Sequence, residues 1–261
     1  MSAPARGSLR LADLATVDLR ARMERGERLV ALVPCGSVEP HGPHLPLGTD
    51  TLISERAALA AIPQLEARGL SPLLAPSIPY GVTRFAEGFA GAISVPAEAL
   101  TALLRAVITG FLDAGFAHVC LINNHLEPAH DAAVRAALDG IPLGRASVAC
   151  PLTRRWGRTL SAEFKSGACH AGRYETSLVL AASPALVDTA AASALPALDQ
   201  SLSEGIKAGK QSFLSMGLTE AYTGAPALGT EAEGEALYAL LATMIATEVD
   251  EALAKLAPQA M

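Results

Sequence analysis

The chain is short of aromatic residues, paired cysteines, positive charge and long apolar runs, and each shortage removes a class of protein. Aromatics make up 4% of its 261 residues although 51% are hydrophobic; alanine and leucine dominate, which suits helices packed closely on a sheet. A formal net charge of -6 and a pI near 5.5 leave no diffuse basic field to hold nucleic acid or an anionic membrane surface. No apolar run approaches the roughly 20 residues needed to span a bilayer. Residues Met1 to Asp13 mix Arg6 and Arg10 with Asp13 and lack an apolar signal core, so the expected location is the cytoplasm. Cys35, Cys120, Cys150 and Cys169 lie far apart and none belongs to a C-x-x-C pair, which excludes a disulfide framework. Three of them sit in or beside apolar runs, where a free cysteine is a small hydrophobe; Cys169 instead directly precedes His170.

What is present is an alternation. Leu29 to Val33, Leu73 to Ile78, Val119 to Ile122 and Ala146 to Cys150 are short apolar runs bounded by polar or turn residues, and they read as buried strands. Between them lie amphipathic stretches. The clearest is Ala97 to Ala114, where Leu100, Leu103, Leu104, Val107, Ile108 and Phe111 recur at helical spacing; Pro96 can open this helix and Gly115 can close it. Strands alternating with helices predict a three-layer α/β/α domain with a largely parallel central sheet, because each parallel neighbour requires a crossover. There is no internal repeat, charge block or low-complexity linker, so residues 1–261 read as a single domain. Thr223 to Gly234 reads as an ordered loop before a last helix at about Glu231 to Leu256.

Ligands collect at the carboxyl ends of parallel strands, so polar residues just after an apolar run carry the most information. Three clusters stand out. The first runs from Gly36 to Asp50; in an extended segment Glu39 and His41, two apart, point the same way. Asp50 stands before a helical stretch, Thr51 to Ala67, where an Asp alone is more commonly an N-cap. Gly42, Pro43, Pro46 and Gly48 form a constrained turn that can return Asp50 to Glu39 and His41. The second cluster holds His125 and Glu127, the same pair in reverse order. Two such pairs and one further carboxylate make a binuclear set, with each ion taking one His and one Glu and Asp50 bridging. Three carboxylates against two divalent ions reach neutrality with one bridging hydroxide, which favours a low-dielectric cleft. The third cluster, Cys169 to Leu178, contains His170 and, in a first helical turn, Glu175. Five of the six histidines fall in these clusters, with only His118 outside; His44 and His130 read as supporting residues.

The stretches G-S-V-E-P-H-G-P-H-L-P-L-G-T-D, N-N-H-L-E-P and H-A-G-R-Y-E-T-S together resemble the creatininase family, with looser likeness at Tyr80-Gly81, at Gly88 to Ser94 and at Gly224-Ala-Pro-Ala together with Gly234. The resemblance implies a metal-dependent amidohydrolase that uses zinc or manganese and attacks cyclic or linear amides through a metal-bound water. One ion would be held by Glu39, Asp50 and His125, and the other by His41, Asp50 and Glu127. His170 would transfer the proton to the leaving nitrogen, with Glu175 supporting it. A homohexamer built as a trimer of dimers is implied too. Creatininase itself reads His-Tyr-Glu-Asn where this chain has His125-Leu126-Glu127-Pro128, and it has a tryptophan in the stretch before His170 that is missing here. These departures argue against creatinine as the substrate and leave a C-N bond of another small molecule.

Tyr80, Arg84 and Leu126 are the expected substrate contacts; Arg84 leads a set with Arg154, Arg155 and Arg173 that could grip an anionic group, since guanidinium suits bidentate anions. Other readings keep the ligand set: hydrolysis of a cyclic ketone or sugar-derived substrate, or metal binding without turnover. A cysteine hydrolase built on Cys169 and His170 is disfavoured because adjacent residues rarely aim both side chains at one atom.

Overall fold

The apolar runs become strands of one sheet. In the computed structural model, which describes residues 8–256, α1 (Thr16–Glu24) precedes β1 (Leu29–Cys35), followed by α2 (Thr49–Glu66), β2 (Ser71–Leu74), α3 (Ala97–Asp113), β3 (His118–Asn123), α4 (Pro128–Ala136) and β4 (Ala146–Ala149). Part of the N-terminal segment considered above, residues 1–7, lies outside the described residues. The four strands are all parallel in the order β2-β1-β3-β4. The short helices α5 (Arg154–Gly157) and α6 (Ala162–Ser166) follow, then α7 (Arg173–Ala182), α8 (Thr189–Ala194), α9 (Leu202–Lys207) and the long α10 (Glu231–Leu253). None of the described helices is long and apolar enough to cross a membrane.

Side chains of β1 alternate between two cores, as the period of a strand requires. Val30 and Leu32 pack with Ile53, Ala57 and Ala61 of α2 and with Leu241 and Ile245 of α10. Leu29, Ala31 and Val33 pack on the opposite face with Leu100, Leu104 and Ile108 of α3 and Val134 of α4. The three α3 residues recur every fourth position, and each such side chain contributes roughly 1.5–3 kcal/mol by leaving water. The result is the three-layer arrangement expected from the alternation, with a sheet that is parallel throughout.

Boundaries moved where local chemistry overrides the apolar pattern. The second strand ends at Leu74 rather than Ile78, because Pro76 has no N–H for the ladder; pairing resumes only at Ile78, which donates to the Pro34 carbonyl at 2.9 Å. Asp50 is not an N-cap, since α2 begins at Thr49 with Gly48 as its cap. Gly234 lies within α10, not in the preceding loop. A side-chain carbon there would run into the Ser177 carbonyl oxygen, so glycine is what lets α10 press against α7.

This topology fixes where a ligand can sit. The chain leaves β1 for β2 on one side, then crosses back past β1 to β3 on the other, and α2 and α3 consequently cover opposite faces. The crevice between the carboxyl ends of β1 and β3 is the switch point of the sheet.

Candidate metal centre

Glu39 and His41 follow β1, Asp50 lies in the first turn of α2, His125 and Glu127 follow β3, and His170 and Glu175 flank the start of α7. All seven side chains are buried. Gly36 brings the first two elements together: a Cβ there would stand 2.6 Å from the Thr51 amide nitrogen, so only glycine permits the end of β1 to touch the start of α2. The turn after β3 is shaped by its asparagines. The Asn123 side-chain oxygen accepts from the His125 amide at 3.0 Å, and Asn124 donates to Ser54, which in turn donates to the Cys35 carbonyl.

The two imidazoles share one device. His41 donates from Nδ1 to the Glu39 carbonyl (3.1 Å), which leaves Nε2 as a lone pair; this nitrogen is buried without a hydrogen-bond partner, 3.2 Å from Asp50 Oδ1, 3.6 Å from Glu175 Oε2 and 3.9 Å from Glu39 Oε1. His125 donates from Nε2 to the Val82 carbonyl (2.7 Å), so Nδ1 is left facing Glu39 Oε1 and Asp50 Oδ2, each at 3.1 Å. A lone pair set against carboxylate oxygens is resolved only by a proton or a cation, and a backbone carbonyl on the far ring nitrogen is the usual means of fixing a metal-binding tautomer. The donors form three overlapping groups whose ligand atoms lie within 4.8 Å of one another: Glu39, Asp50 and His125; His41, Asp50 and Glu175; and Glu39, His41 and His170. The chemistry of this donor set, imidazole and carboxylate around buried space, fits divalent ions such as zinc or manganese.

Electrostatics show how strongly the carboxylates draw a cation, here a proton, onto the same nitrogens. Burial works against ionising His41, but the Asp50 and Glu175 carboxylates outweigh it and push the imidazole up to about 10. Burial likewise opposes the charge on His125, yet Glu39 and Asp50 hold it well above the ordinary histidine range. Burial would raise the Asp50 carboxyl, but the His41 and His125 charges hold it well below the carboxylate range. Glu175 goes the other way, pushed up to about 8 by burial. So much buried negative charge requires positive charge in the same space.

Sequence reasoning missed the brace around these donors. Residues 82–85 hold three of them: the Val82 carbonyl accepts from His125 while its amide donates to His130, Thr83 Oγ1 donates to Glu39 Oε2, and the Phe85 amide donates to Glu127 Oε2 at 3.1 Å. Ser37 donates to Asp50 Oδ2 at 2.9 Å. His130 stands on α4 with its ring 4.6 Å from that of His125, and His44 bonds Thr176. The sequence signal for the brace was the Tyr80-Gly81 likeness, which marked the segment for substrate contact through Tyr80 and Arg84 instead of for holding the donors.

The centre forms the floor of a cavity of about 480 Å³. Leu126, Glu127 and His170 line it; Tyr80, 51% exposed, does not, and Arg84 lines a separate hollow with Glu87 and Glu98. His170 stacks on Phe213 with ring centroids 4.4 Å apart, and its Nε2 donates to the Pro40 carbonyl at 3.0 Å. Burial first and the His41 charge second keep it neutral, at about 4. Ala171 adopts φ +51°, unusual for a residue with a side chain, and its amide donates to Glu175 Oε2 at 2.6 Å. Glu175 thus anchors the turn that carries His170. Cys169 touches the cavity, but burial together with Glu175 and Glu163 pushes its thiol far up, the opposite of an activated nucleophile.

The fold and the site together define a three-layer α/β protein with an imidazole and carboxylate centre at its switch point. The chain belongs to the creatininase family: the family model described as creatinine amidohydrolase matches residues 12–249. It is 35% identical over 224 residues to the mycofactocin precursor peptide peptidase of Mycobacterium tuberculosis, covering 80% of each chain. Among solved structures it resembles the manganese form of creatininase (TM-score 0.69, 19% identity, 94% of this chain and 98% of that one) and a mutant creatininase of Zn-Zn type (TM-score 0.69, 18% identity, same coverage). The chain is therefore a metal-binding hydrolase by family, and its fold is that of creatininase.

Proposed function

We propose that the protein is a binuclear metal-dependent amidohydrolase that cleaves a C-N bond of a small amide. The observation that carries this reading is the pair of buried imidazole lone pairs, His41 Nε2 and His125 Nδ1, aimed at shared carboxylates. One ion would be held by Glu39, Asp50 and His125. The second would be held by His41, Asp50 and Glu127, whose Oε1 is left over once Oε2 has accepted from Phe85. Two divalent ions would supply Lewis acidity toward the substrate carbonyl and toward a water.

The remaining work falls to the chain. Thr83 and Ser37 fix the orientation of Glu39 and Asp50, and the Val82 carbonyl fixes the tautomer of His125. His170, at the cavity wall, is neutral with Nε2 donating to Pro40, so it would take a proton from the attacking water on Nδ1 and pass it to the leaving nitrogen, and Glu175 positions it through the Ala171 amide. The apolar walls contributed by Leu126, Pro128, Phe164 and Phe213 exclude water from the amide. The name of the mycobacterial relative supports admitting peptide amides beside the ring amides favoured from the sequence. The zinc and manganese forms of the solved creatininases support those two metals as the ions. On the same family likeness we take the working unit to be a hexamer, which light scattering on the eluting protein measures directly.

Stripping the protein with chelator and restoring zinc or manganese, followed by a panel of lactams and short peptides, tests the reading. Two equivalents of metal and metal-dependent amide cleavage are expected; full metal occupancy with no cleavage of any amide would leave a binding protein instead.

A further inference from the structure

The four arginines considered for anion binding separate clearly in the fold. Arg155 is paired with Glu251 through two contacts of 2.7 Å, Arg173 is paired with Glu233, and Arg84 faces a different hollow. Arg154 alone lines the cavity above the metal centre. It is not the only cation there. Arg158, Lys165 and Lys207 line the same cavity, all four are exposed, and none has an ion-pair partner among the described residues. They arrive from three separate elements: α5 and the residue following it, α6, and α9. Two of the four lysines in the whole sequence, Lys165 and Lys207, are spent here, in a chain of net charge -6.

The acids of the cavity, Glu39, Asp50, Glu127 and Glu175, belong to its floor, so the charge divides into an acidic base that would be neutralised by metal and a cationic rim with no acid of its own. Between them the walls are apolar, with Leu152, Phe164, Leu202, Ile206 and Phe213. A rim of unpaired cations over apolar walls is complementary to a ligand with an apolar body and a terminal anion, and it raises the encounter rate for such a ligand. We propose that the substrate is an amide bearing a free carboxylate on an apolar body, with Arg154, Arg158, Lys165 and Lys207 holding the carboxylate while the amide lies over the metal centre. This specifies the substrate class and rests on the amidohydrolase reading. Arg154 and Arg158, which can grip a carboxylate with two N–H groups at once, are the principal contacts.

The test compares N-acetyl-phenylalanine with N-acetyl-phenethylamine, which differ only in the carboxylate, by titration calorimetry on the zinc-loaded full chain, with products followed separately by chromatography. The acid is expected to bind at least about tenfold more tightly at low ionic strength, with the preference shrinking as salt screens the exposed cations. A triple variant, Arg154→Gln, Arg158→Gln and Lys207→Gln, touches only exposed side chains and should erase the preference, whereas Arg20→Gln on α1 should retain it. Equal affinity for the two compounds, or binding of neither, overturns the proposal. So does a preference that survives in the triple variant, because the carboxylate would then be bound by metal rather than by the rim. A salt-sensitive preference lost in the triple variant, with no product from either compound, upholds the rim and counts against the amidohydrolase reading alone.

Discussion

Strand β3 carries a histidine at each end, and the two differ in what their nitrogens find. His118, at the amino end, is buried and satisfied on both sides: Nδ1 donates to the Gly144 carbonyl at 2.9 Å and Nε2 accepts from Ser147 at 2.8 Å. His125, just past the carboxyl end, has one nitrogen satisfied by Val82 and the other directed at two carboxylates. Burial is the same; the count of nitrogens satisfied within the chain is not. Burial holds His118 down to about 4, the value of a structural imidazole, whereas the carboxylates hold His125 well above its ordinary range. A buried histidine thus reads as structural when the fold supplies both of its partners and as a ligand when the fold supplies one and surrounds the other with acid.

The sharpest way to break this comparison is to remove Asp50, the carboxylate within 3.2 Å of both His41 and His125. Asp50→Ala should lose metal together with turnover, and if Asp50 bridges two ions as proposed the fall should exceed the roughly hundredfold seen for outer-sphere losses. His170→Ala should keep its metal while turnover falls on the order of a hundredfold to ten-thousandfold. Metal content by elemental analysis beside initial rates separates the two. Full metal in the Asp50 variant would dissolve the centre, and undiminished turnover in the His170 variant would remove that residue from the chemistry.

A smaller effect refines the assignment within the carboxyl-end cluster. Glu175 Oε2 lies 3.6 Å from His41 Nε2, yet it also accepts from Ala171, while Glu127 is held by Phe85. If Glu127 is the ligand, Glu127→Gln loses one of two equivalents of metal, and Glu175→Gln keeps both with slower turnover from a loosened His170 turn. The exchanged pattern would hand the ligand role to Glu175.

The layers were legible because each strand is a short apolar run and α3 repeats its leucines at helical spacing; the ends were not, because Pro76 and Gly48 act through single hydrogen bonds that periodicity does not register. Glu39, His41, Asp50 and His125 could be named from spacing plus family likeness. What escaped was everything defined by approach from elsewhere in the chain. Val82, Thr83 and Phe85 serve the site through backbone groups and one hydroxyl, which carry no residue-specific signature in a sequence. The cationic rim was equally hidden, although the scarcity of lysine was a clue to it: with four in 261 residues, their confinement to the part of the chain after the last strand was worth a question.

The mildest test addresses the amino end. An unfolded histidine takes its proton near 6.5, but folded His118 takes one only at about 4, since burial disfavours its charge and Gly144 and Ser147 already hold the neutral ring. The unfolded chain therefore binds the proton first. The stability that this residue contributes is fully present above pH 6.5 and is lost as pH falls toward 4, by about 3 kcal/mol over the interval. His118→Asn should flatten the fall in unfolding free energy between pH 7 and pH 4, read from denaturant titrations, by about that amount, while metal content at neutral pH stays at the parental level. A variant with the parental acid slope would mean that His118 is already protonated in the fold, and a variant that loses metal would mean that the two ends of β3 are coupled. Either result would end the division of labour along this strand.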